Sequence, residues 1–278
     1  MNDKRLLTVQ DISCVGQCSL TVALPVISAC GVETSILPAA VLSTHTGGFQ
    51  GFTFRDLTDD IPAIAAHWKS EGIQFDAVYT GYLGSKRQIV LVGELFDSVC
   101  KEGALRIVDP AMADHGKLYA GFDGEFAAAM AGLCAKADIV IPNITEAAMM
   151  TGLPFLSDGY DEQYVRSLME GMLAFGAKTV VLTGVSYEKD KIGVAVLGAK
   201  GDAITYYFHE RLPRNSHGTG DVFASSFTGA LVRGRAPLEA ARIAAEFTLA
   251  AMRATEQEHW YGVRFEKVLP LLCKELNQ

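Results

Sequence analysis

The chain has 278 residues, 49% of them hydrophobic, which is enough for one large α/β domain or two small ones and excludes intrinsic disorder. Its net charge of −8 argues against nucleic acid or an anionic membrane as the main partner. The six cysteines lack zinc-site spacing, and the N-terminal segment resembles neither a signal peptide nor a membrane span, so we expect a cytoplasmic protein with reduced thiols.

The first half of the chain alternates predicted strands with predicted helices. Strands are predicted at RLLTVQ (5–10), ETSILPAAVL (33–42), FDAVYTGYLG (75–84) and LRIVDP (105–110). Helices are predicted at SLTVALPVISACG (19–31), DDIPAIAAHWKSEG (59–72) and QIVLVGELFDSVCKEG (88–103). The glycine-rich aromatic stretch HTGGFQGF (45–52) is predicted to be a loop with functional potential.

The alternation continues in the second half. Helices are predicted at 125–137, 144–152 and 161–176, strands at 138–143 and 178–184, and a β-hairpin at 192–210 that turns at AKGD. Two consecutive helices follow, at 221–234 and 237–255. This order predicts an α/β fold of three layers, with a mostly parallel central sheet and helices on both faces. No linker or repeat divides the chain, so we expect a single domain over 1–278.

Polar side chains recur where the predicted parallel strands end. In an open parallel sheet these ends share one edge, where ligands bind. Each such residue could instead cap a turn, but together they predict a long polar crevice; they are Asp11, Tyr82, Asp109, Asn143 and Thr183.

The stretch SHGTGDVFASSFTGALVRG (216–234) places a glycine turn and an aspartate at the start of a helix. Backbone N–H groups from Gly218 to Asp221, including that of Thr219, are predicted to form an anion hole for a phosphoryl group. Asp221 would accept a proton from the attacking hydroxyl. The alternative is an ordinary acidic residue at a helix N-terminus, without a catalytic role.

Several separated motifs resemble the pyridoxal/pyridoxamine kinase branch of the ribokinase superfamily. They are GTGD (218–221), VQDISCVGQCSLTVALPVISACGVET (9–34), LSTHTGGF (42–49), YTGYLGS (79–85), VDPAMADHGKLY (108–119) and IPNITEAAMMTG (141–152). They occur in family order, and the resemblance spans residues 5 to about 265. It implies a ribokinase-like fold and transfer of the ATP γ-phosphoryl group to the 5′-hydroxyl of a B6 vitamer, with Mg²⁺ and in some members K⁺. It also implies a cytosolic homodimer.

The resemblance assigns roles to the following positions. Asp221 matches the catalytic aspartate, and Gly218 and Gly220 match the anion-hole glycines. Asp11, Cys18, Thr46 and Tyr82 match the vitamer pocket; Asp114, Asn143, Thr183 and Thr219 match nucleotide or phosphate contacts; Asp109 and Glu146 match the magnesium region.

Three positions depart from the family pattern. Ala113 and Gly48 stand where a glycine and a tyrosine are usual, so the aromatic wall at Gly48 is supplied by Phe49 or lost. Asp11 stands where many pyridoxal kinases have a serine. A carboxylate there would favour the ammonium of pyridoxamine, unless Asp11 caps the following turn or faces the pyridinium nitrogen. A hydroxymethylpyrimidine kinase and a non-catalytic vitamer-binding protein are the alternative functions.

Overall fold

A nine-stranded sheet organises residues 4–213 and 216–277, the parts of the chain that the structure, a computed structural model, describes. The strands are β1 (Arg5–Ser13), β2 (Glu33–Leu42), β3 (Phe54–Asp56), β4 (Phe75–Thr80), β5 (Cys100–Val108), β6 (Ala113–Asp114), β7 (Lys117–Leu118), β8 (Ile139–Val140), β9 (Thr179–Val185), β10 (Lys191–Leu197) and β11 (Thr205–Glu210). The spatial order is β11-β10-β9-β8-β5-β4-β1-β2-β3, and β6 and β7 pair separately.

The centre of this sheet is parallel. Strands β2, β1, β4, β5, β8 and β9 pair in parallel, whereas β3 at one edge and β10 and β11 at the other are antiparallel. The chain moves from β1 to β2 on one side and then crosses to β4 on the other. The direction of winding therefore changes at β1, and a crevice opens beyond the carboxyl end of that strand.

Helices cover both faces of the sheet. They are α1 (Leu20–Ala29), α2 (Asp60–Ser70), α3 (Lys86–Val99), α4 (Gly124–Cys134), α5 (Ile144–Thr151), α6 (Glu162–Phe175), α7 (Thr219–Val232), α8 (Pro237–Arg253) and α9 (Leu269–Leu276). One core lies between the sheet and α2–α6, and the other lies between the sheet and α1, α7, α8 and α9. The predicted three-layer α/β fold is confirmed. None of the helices described is long and apolar enough to cross a bilayer.

The central strands are hydrophobic because both of their faces are covered. In β1, Leu6, Leu7 and Val9 are fully buried, and they divide between the two cores. Such continuous apolar runs are typical of parallel sheets. Burial of these strands fixes the positions of the polar residues at their carboxyl ends.

Several predicted boundaries were wrong, and short elements were missed. Helix α3 ends at Val99, because Cys100 already pairs with Phe75 at the start of β5. Strand β1 continues through Asp11 to Ser13, so Asp11 lies within the strand and not after it. Strands β3, β6 and β7 have two or three residues each and are too short to show a periodic pattern.

Candidate active site

The crevice gathers the predicted strand-end residues along one edge of the sheet. Asp11 lies near the carboxyl end of β1, Tyr82 two residues after β4, and Asp109 directly after β5. Asn143, which follows β8, forms a bridge with Thr183 of β9. The sheet therefore brings all five predicted positions to the same edge.

The glycine turn begins helix α7 at this edge. Gly218 adopts a left-handed conformation with φ 79°, and a Cβ there would collide with the carbonyl oxygen of Gln17. Gly220 is exposed, and, its chain neighbours and the backbone of its own helix apart, no atom of the described chain lies within 4 Å of the position that its Cβ would occupy. The first N–H groups of a helix have no partner within the helix. The turn therefore offers an open cradle for an anion.

Asp221 is the third residue of α7 and is partly buried at the floor of the crevice. Burial raises the pKa of its carboxyl to about 7, although hydrogen bonds from the Ser19 backbone N–H and the Cys18 thiol oppose this rise. The negative charge of Asp11 raises the pKa further. A carboxylate with a pKa near neutrality can accept a proton from a substrate hydroxyl.

Ser19 lies between Asp11 and Asp221. Its backbone has φ 55° and ψ −131°, a left-handed conformation that is rare outside glycine, and it forms a bridge with Ile12 of β1. Its side chain does not cap helix α1 but hydrogen-bonds to Asp11, which also accepts a hydrogen bond of 3.0 Å from Ser13. Burial nevertheless raises the pKa of Asp11.

The loop after β2 is ordered by His45. The imidazole Nδ1 accepts a hydrogen bond from the Gly47 N–H (3.0 Å), so Nε2 carries the proton that it donates to the Tyr261 carbonyl (2.8 Å). Burial lowers the pKa of His45 and favours this neutral form. Thr46 is therefore held, exposed, at the tip of a fixed turn.

Tyr82, two residues after β4, provides an aromatic surface near Asp11. Its ring stacks on Phe122, with centroids 5.5 Å apart, and Phe122 in turn stacks on Phe126. Burial, together with the charge of Asp11, raises the pKa of Tyr82 to about 12, so its hydroxyl stays protonated at neutral pH. It can therefore donate a hydrogen bond to a ligand.

Asn143 and Glu146 form a capping box at the start of helix α5. Glu146 Oε2 accepts from the Asn143 N–H (2.9 Å) and Oε1 from the Met112 N–H (3.1 Å), while the Asn143 amide donates to the Ala113 carbonyl (2.8 Å). These bonds hold the backbone of residues 112 and 113 against α5. Burial raises the pKa of Glu146 to about 8.

Asp109 provides the buried carboxylate that fits a cation. It is 8% exposed, its carboxylate has no hydrogen-bond donor among the described residues, and burial with the charges of Glu146 and Asp221 raises its pKa. No group of three metal-ligating side chains occurs within 4–213 and 216–277. Two carboxylates plus phosphate oxygens are nevertheless a donor set suited to Mg²⁺, which usually keeps several water ligands.

The remaining predicted nucleotide contacts make local hydrogen bonds to nearby backbone groups. Asp114 is exposed and accepts a hydrogen bond from the His115 N–H (2.8 Å) in the β6–β7 turn. Thr183 donates to the Pro142 carbonyl (3.3 Å), and Thr219 donates to the Ser216 carbonyl (3.3 Å).

Two residues of this site escaped the sequence analysis. Ser19 resembles an ordinary helix cap in sequence, and a left-handed serine has no sequence signal. Trp260 lies in the segment after α8, yet its ring is 4.7 Å from that of Phe49, centroid to centroid, beside the His45 loop. No local pattern links positions this far apart in the chain.

The chain is similar over most of its length to known kinases. The family model described as phosphomethylpyrimidine kinase matches residues 24–263. A crystal structure of a candidate phosphomethylpyrimidine kinase from Bacteroides thetaiotaomicron, in a form with pyridoxal, is 37% identical with a TM-score of 0.91, and the match covers 98% of this chain and 96% of that one.

Two further relatives carry names from the pyridoxal kinase branch. Pyridoxal kinase from Lactobacillus plantarum is 32% identical, with a TM-score of 0.89 and coverage of 98% of this chain and 97% of that one. The pyridoxine/pyridoxal/pyridoxamine kinase of Bordetella bronchiseptica is 28% identical over 267 residues, 91% of this chain and 89% of its own. The chain thus belongs to the phosphomethylpyrimidine kinase family and is an ATP-dependent small-molecule kinase of the pyridoxal kinase branch of the ribokinase superfamily, as its motifs predict.

Proposed function

We propose that the chain phosphorylates the 5′-hydroxyl of a B6 vitamer, with ATP as the phosphoryl donor and Asp221 as the general base. The observation that carries this proposal is the position of Asp221: its carboxyl, with a pKa of about 7, directly follows the Gly218–Gly220 turn and lies close to Asp11. The pyridoxal in the Bacteroides structure and the vitamers in the names of the Lactobacillus and Bordetella kinases support the substrate class.

The reaction is an in-line phosphoryl transfer. The 5′-oxygen attacks the γ-phosphorus while Asp221 takes the hydroxyl proton, and the bond from the γ-phosphorus to the bridging oxygen breaks, so that ADP leaves with the electron pair. The backbone N–H groups of the Gly218–Gly220 turn, including that of Thr219, stabilise the charge on the transferred group. Because the donors are backbone groups at a helix N-terminus, they need no reorganisation during the reaction.

The two ends of the crevice hold the two substrates. Asp11, Cys18, Thr46 and Tyr82 contact the vitamer, and Asp114, Asn143 and Thr183 lie on the nucleotide side. We expect Asn143 to act mainly through the capping box, because its side chain already makes two hydrogen bonds.

Magnesium would be held by Asp109. The Glu146 oxygens already accept hydrogen bonds from three backbone N–H groups. Glu146 would therefore act indirectly, by ordering the backbone of residues 112 and 113 or through a water molecule. When bound with ATP, the ion neutralises phosphate charge. A role for K⁺, a homodimer and a cytoplasmic location remain predictions of the family resemblance.

A hydroxymethylpyrimidine kinase is the second candidate function, because the matching family model carries a related name. A vitamer-binding protein without catalysis is disfavoured, since Asp221 and both turn glycines are present. The test is a steady-state assay with pyridoxal, pyridoxine, pyridoxamine and hydroxymethylpyrimidine in parallel, with Asp221→Asn as the control for contaminating kinases. We expect turnover of at least one vitamer, abolished by the substitution. Turnover of hydroxymethylpyrimidine alone would establish the second candidate, and no substrate-dependent ATP consumption would overturn both.

A further inference from the structure

The turn at Gly48 leaves a space that another part of the chain fills. Gly48 has φ 87° and no side chain, and a Cβ built there would lie 2.8 Å from Cζ3 of the Trp260 indole. The indole therefore lies directly over the backbone two residues beyond Thr46. It occupies the volume that a side chain at position 48 would need.

The two residues that follow Trp260 tie it to the site. His45 donates its hydrogen bond of 2.8 Å to the Tyr261 carbonyl. Gly262 packs closely on Gln17, which precedes Cys18, because a Cβ on Gly262 would lie 2.9 Å from the Gln17 backbone nitrogen. The position of Trp260 is thus fixed relative to the segments that carry Thr46 and Cys18.

The Trp260 ring is packed on one side, but much of its surface remains exposed and could contact a ligand. Trp260 packs on Phe49 at 4.7 Å between centroids, but the residue remains 49% exposed. Indole presents an electron-rich face, and it attracts flat or cationic rings that offer a matching surface. A pyridine ring is flat, and it is electron-poor when its nitrogen is protonated.

We propose that Trp260 is a specificity-determining residue that supplies an aromatic wall of the vitamer pocket and packs against the pyridine ring. This inference rests on the proposed function. In this proposal, Trp260, from the segment after α8, provides the aromatic ring that a tyrosine at position 48 would otherwise provide. Gly48 has no side chain there, and this leaves room for the indole. Tyr82 and Trp260 then provide aromatic surface from different segments of the chain.

The first test uses fluorescence, because the chain has only two tryptophans, Trp68 and Trp260. In Trp68→Phe, Trp260 is the sole tryptophan, and its emission is excited selectively over that of tyrosine. Pyridoxine is the probe because it has no aldehyde to react with lysines. We expect saturable quenching with a midpoint close to the KM for pyridoxine. In Trp260→Phe, the remaining Trp68 on helix α2 should show little change. Unchanged Trp260 emission at saturating pyridoxine, in an enzyme that turns pyridoxine over, would overturn the proposal.

The second test separates binding from chemistry. We expect Trp260→Ala to raise KM for the vitamer about ten-fold, with kcat and the KM for ATP within about two-fold of wild type, and Trp260→Phe to restore most of the loss. Leu271, in α9, is also a large exposed apolar residue. Leu271→Ala is therefore the matched control and should change none of these values.

The two failures can be told apart. A wild-type chain that turns over no vitamer contradicts the proposed function itself. A wild-type chain that turns over vitamers, combined with a folded Trp260→Ala whose KM values are unchanged, contradicts the role of Trp260 alone. If Trp260→Ala does not fold, the KM of Trp260→Leu, which keeps an apolar side chain but removes the ring, decides the point in the same way.

Discussion

Asp221 carries a raised pKa that has opposite effects on catalysis and on stability. Its carboxyl holds a proton up to about pH 7 in the folded chain but only to about pH 3.8 in an unfolded one. The folded state therefore binds more protons between these values, so stability falls as the pH rises from 4 to 7 and stays lower above 7. A base that is poised for proton transfer at neutral pH thus lowers the stability of the fold.

Asp221→Asn is predicted to separate these effects. We expect kcat to fall by roughly 10²–10⁴, while Tm at pH 8 rises above that of wild type, because the amide has no charge to desolvate. The gain in Tm should shrink as the pH falls from 7 towards 4. Paired kinetics and thermal melts at several pH values test this. Near wild-type turnover would contradict the role as base, and a Tm below wild type at pH 8 would contradict the assigned charge state.

Asp11 offers a second prediction at this scale, on substrate choice. Its buried carboxylate accepts hydrogen bonds from Ser13 and Ser19, yet its pKa is raised, so an ammonium partner would stabilise it further. We expect pyridoxamine to be preferred over pyridoxal about ten-fold or more in kcat/KM. Asp11→Ser should remove that preference, and Asp11→Asn, which keeps the size but not the charge, should do the same. If the ratio of the two kcat/KM values is unchanged in both variants, Asp11 only orders the end of β1 through its hydrogen bond with Ser13.

Helix α7 shows, at the scale of one element, why two neighbouring glycines differ. Gly218 needs a positive φ and a close approach to Gln17, so Gly218→Ala should lower the stability of the fold. Gly220 lies within the helix, and its missing Cβ would meet no protein atom. Alanine is a better helix former than glycine by up to about 1 kcal/mol, so Gly220→Ala should keep or raise Tm.

Activity in the same pair tests the anion hole. We predict that Gly220→Ala loses at least ten-fold in kcat although it melts no lower than wild type, because its Cβ would intrude on the transferred phosphoryl group. Melting curves and kcat for both variants provide the comparison. A fully active Gly220→Ala would mean that no phosphoryl group approaches this backbone, and the turn would then serve the fold alone.

The same elements show what the sequence could and could not predict. Periodicity predicted the long strands and helices, and the GTGD motif predicted the turn, because each depends on residues close together in the chain. The site also depends on Ser19, whose backbone conformation is set by its bridge to Ile12, and on Trp260, which packs on a loop more than 200 residues earlier in the chain. Such contacts are consequences of tertiary packing and leave no local signal.

At the scale of the whole molecule, a chain with net charge −8 is proposed to bind the polyanion ATP in a crevice that contains several carboxylates. Asp109 would be affected most by the repulsion between its carboxylate and the phosphates, because burial and the charges of Glu146 and Asp221 already disfavour its ionised form. The glycine turn offers only partial positive charge from the helix N-terminus. We therefore predict that tight binding of the nucleotide requires a cation at Asp109.

This requirement predicts that Mg²⁺ and nucleotide stabilise the fold together. A ligand that binds only the folded state raises Tm by mass action, so ADP with Mg²⁺ should raise Tm more than ADP with EDTA. Asp109→Asn should lose most of the magnesium-dependent part, although its Tm without ligands should equal or exceed that of wild type because a desolvated charge is gone. Asp97→Asn, at a 66% exposed carboxylate on α3, is the control and should keep the full magnesium effect. If Asp109→Asn keeps it as well, the cation is held by the phosphates and other residues, and Asp109 has no part in binding it.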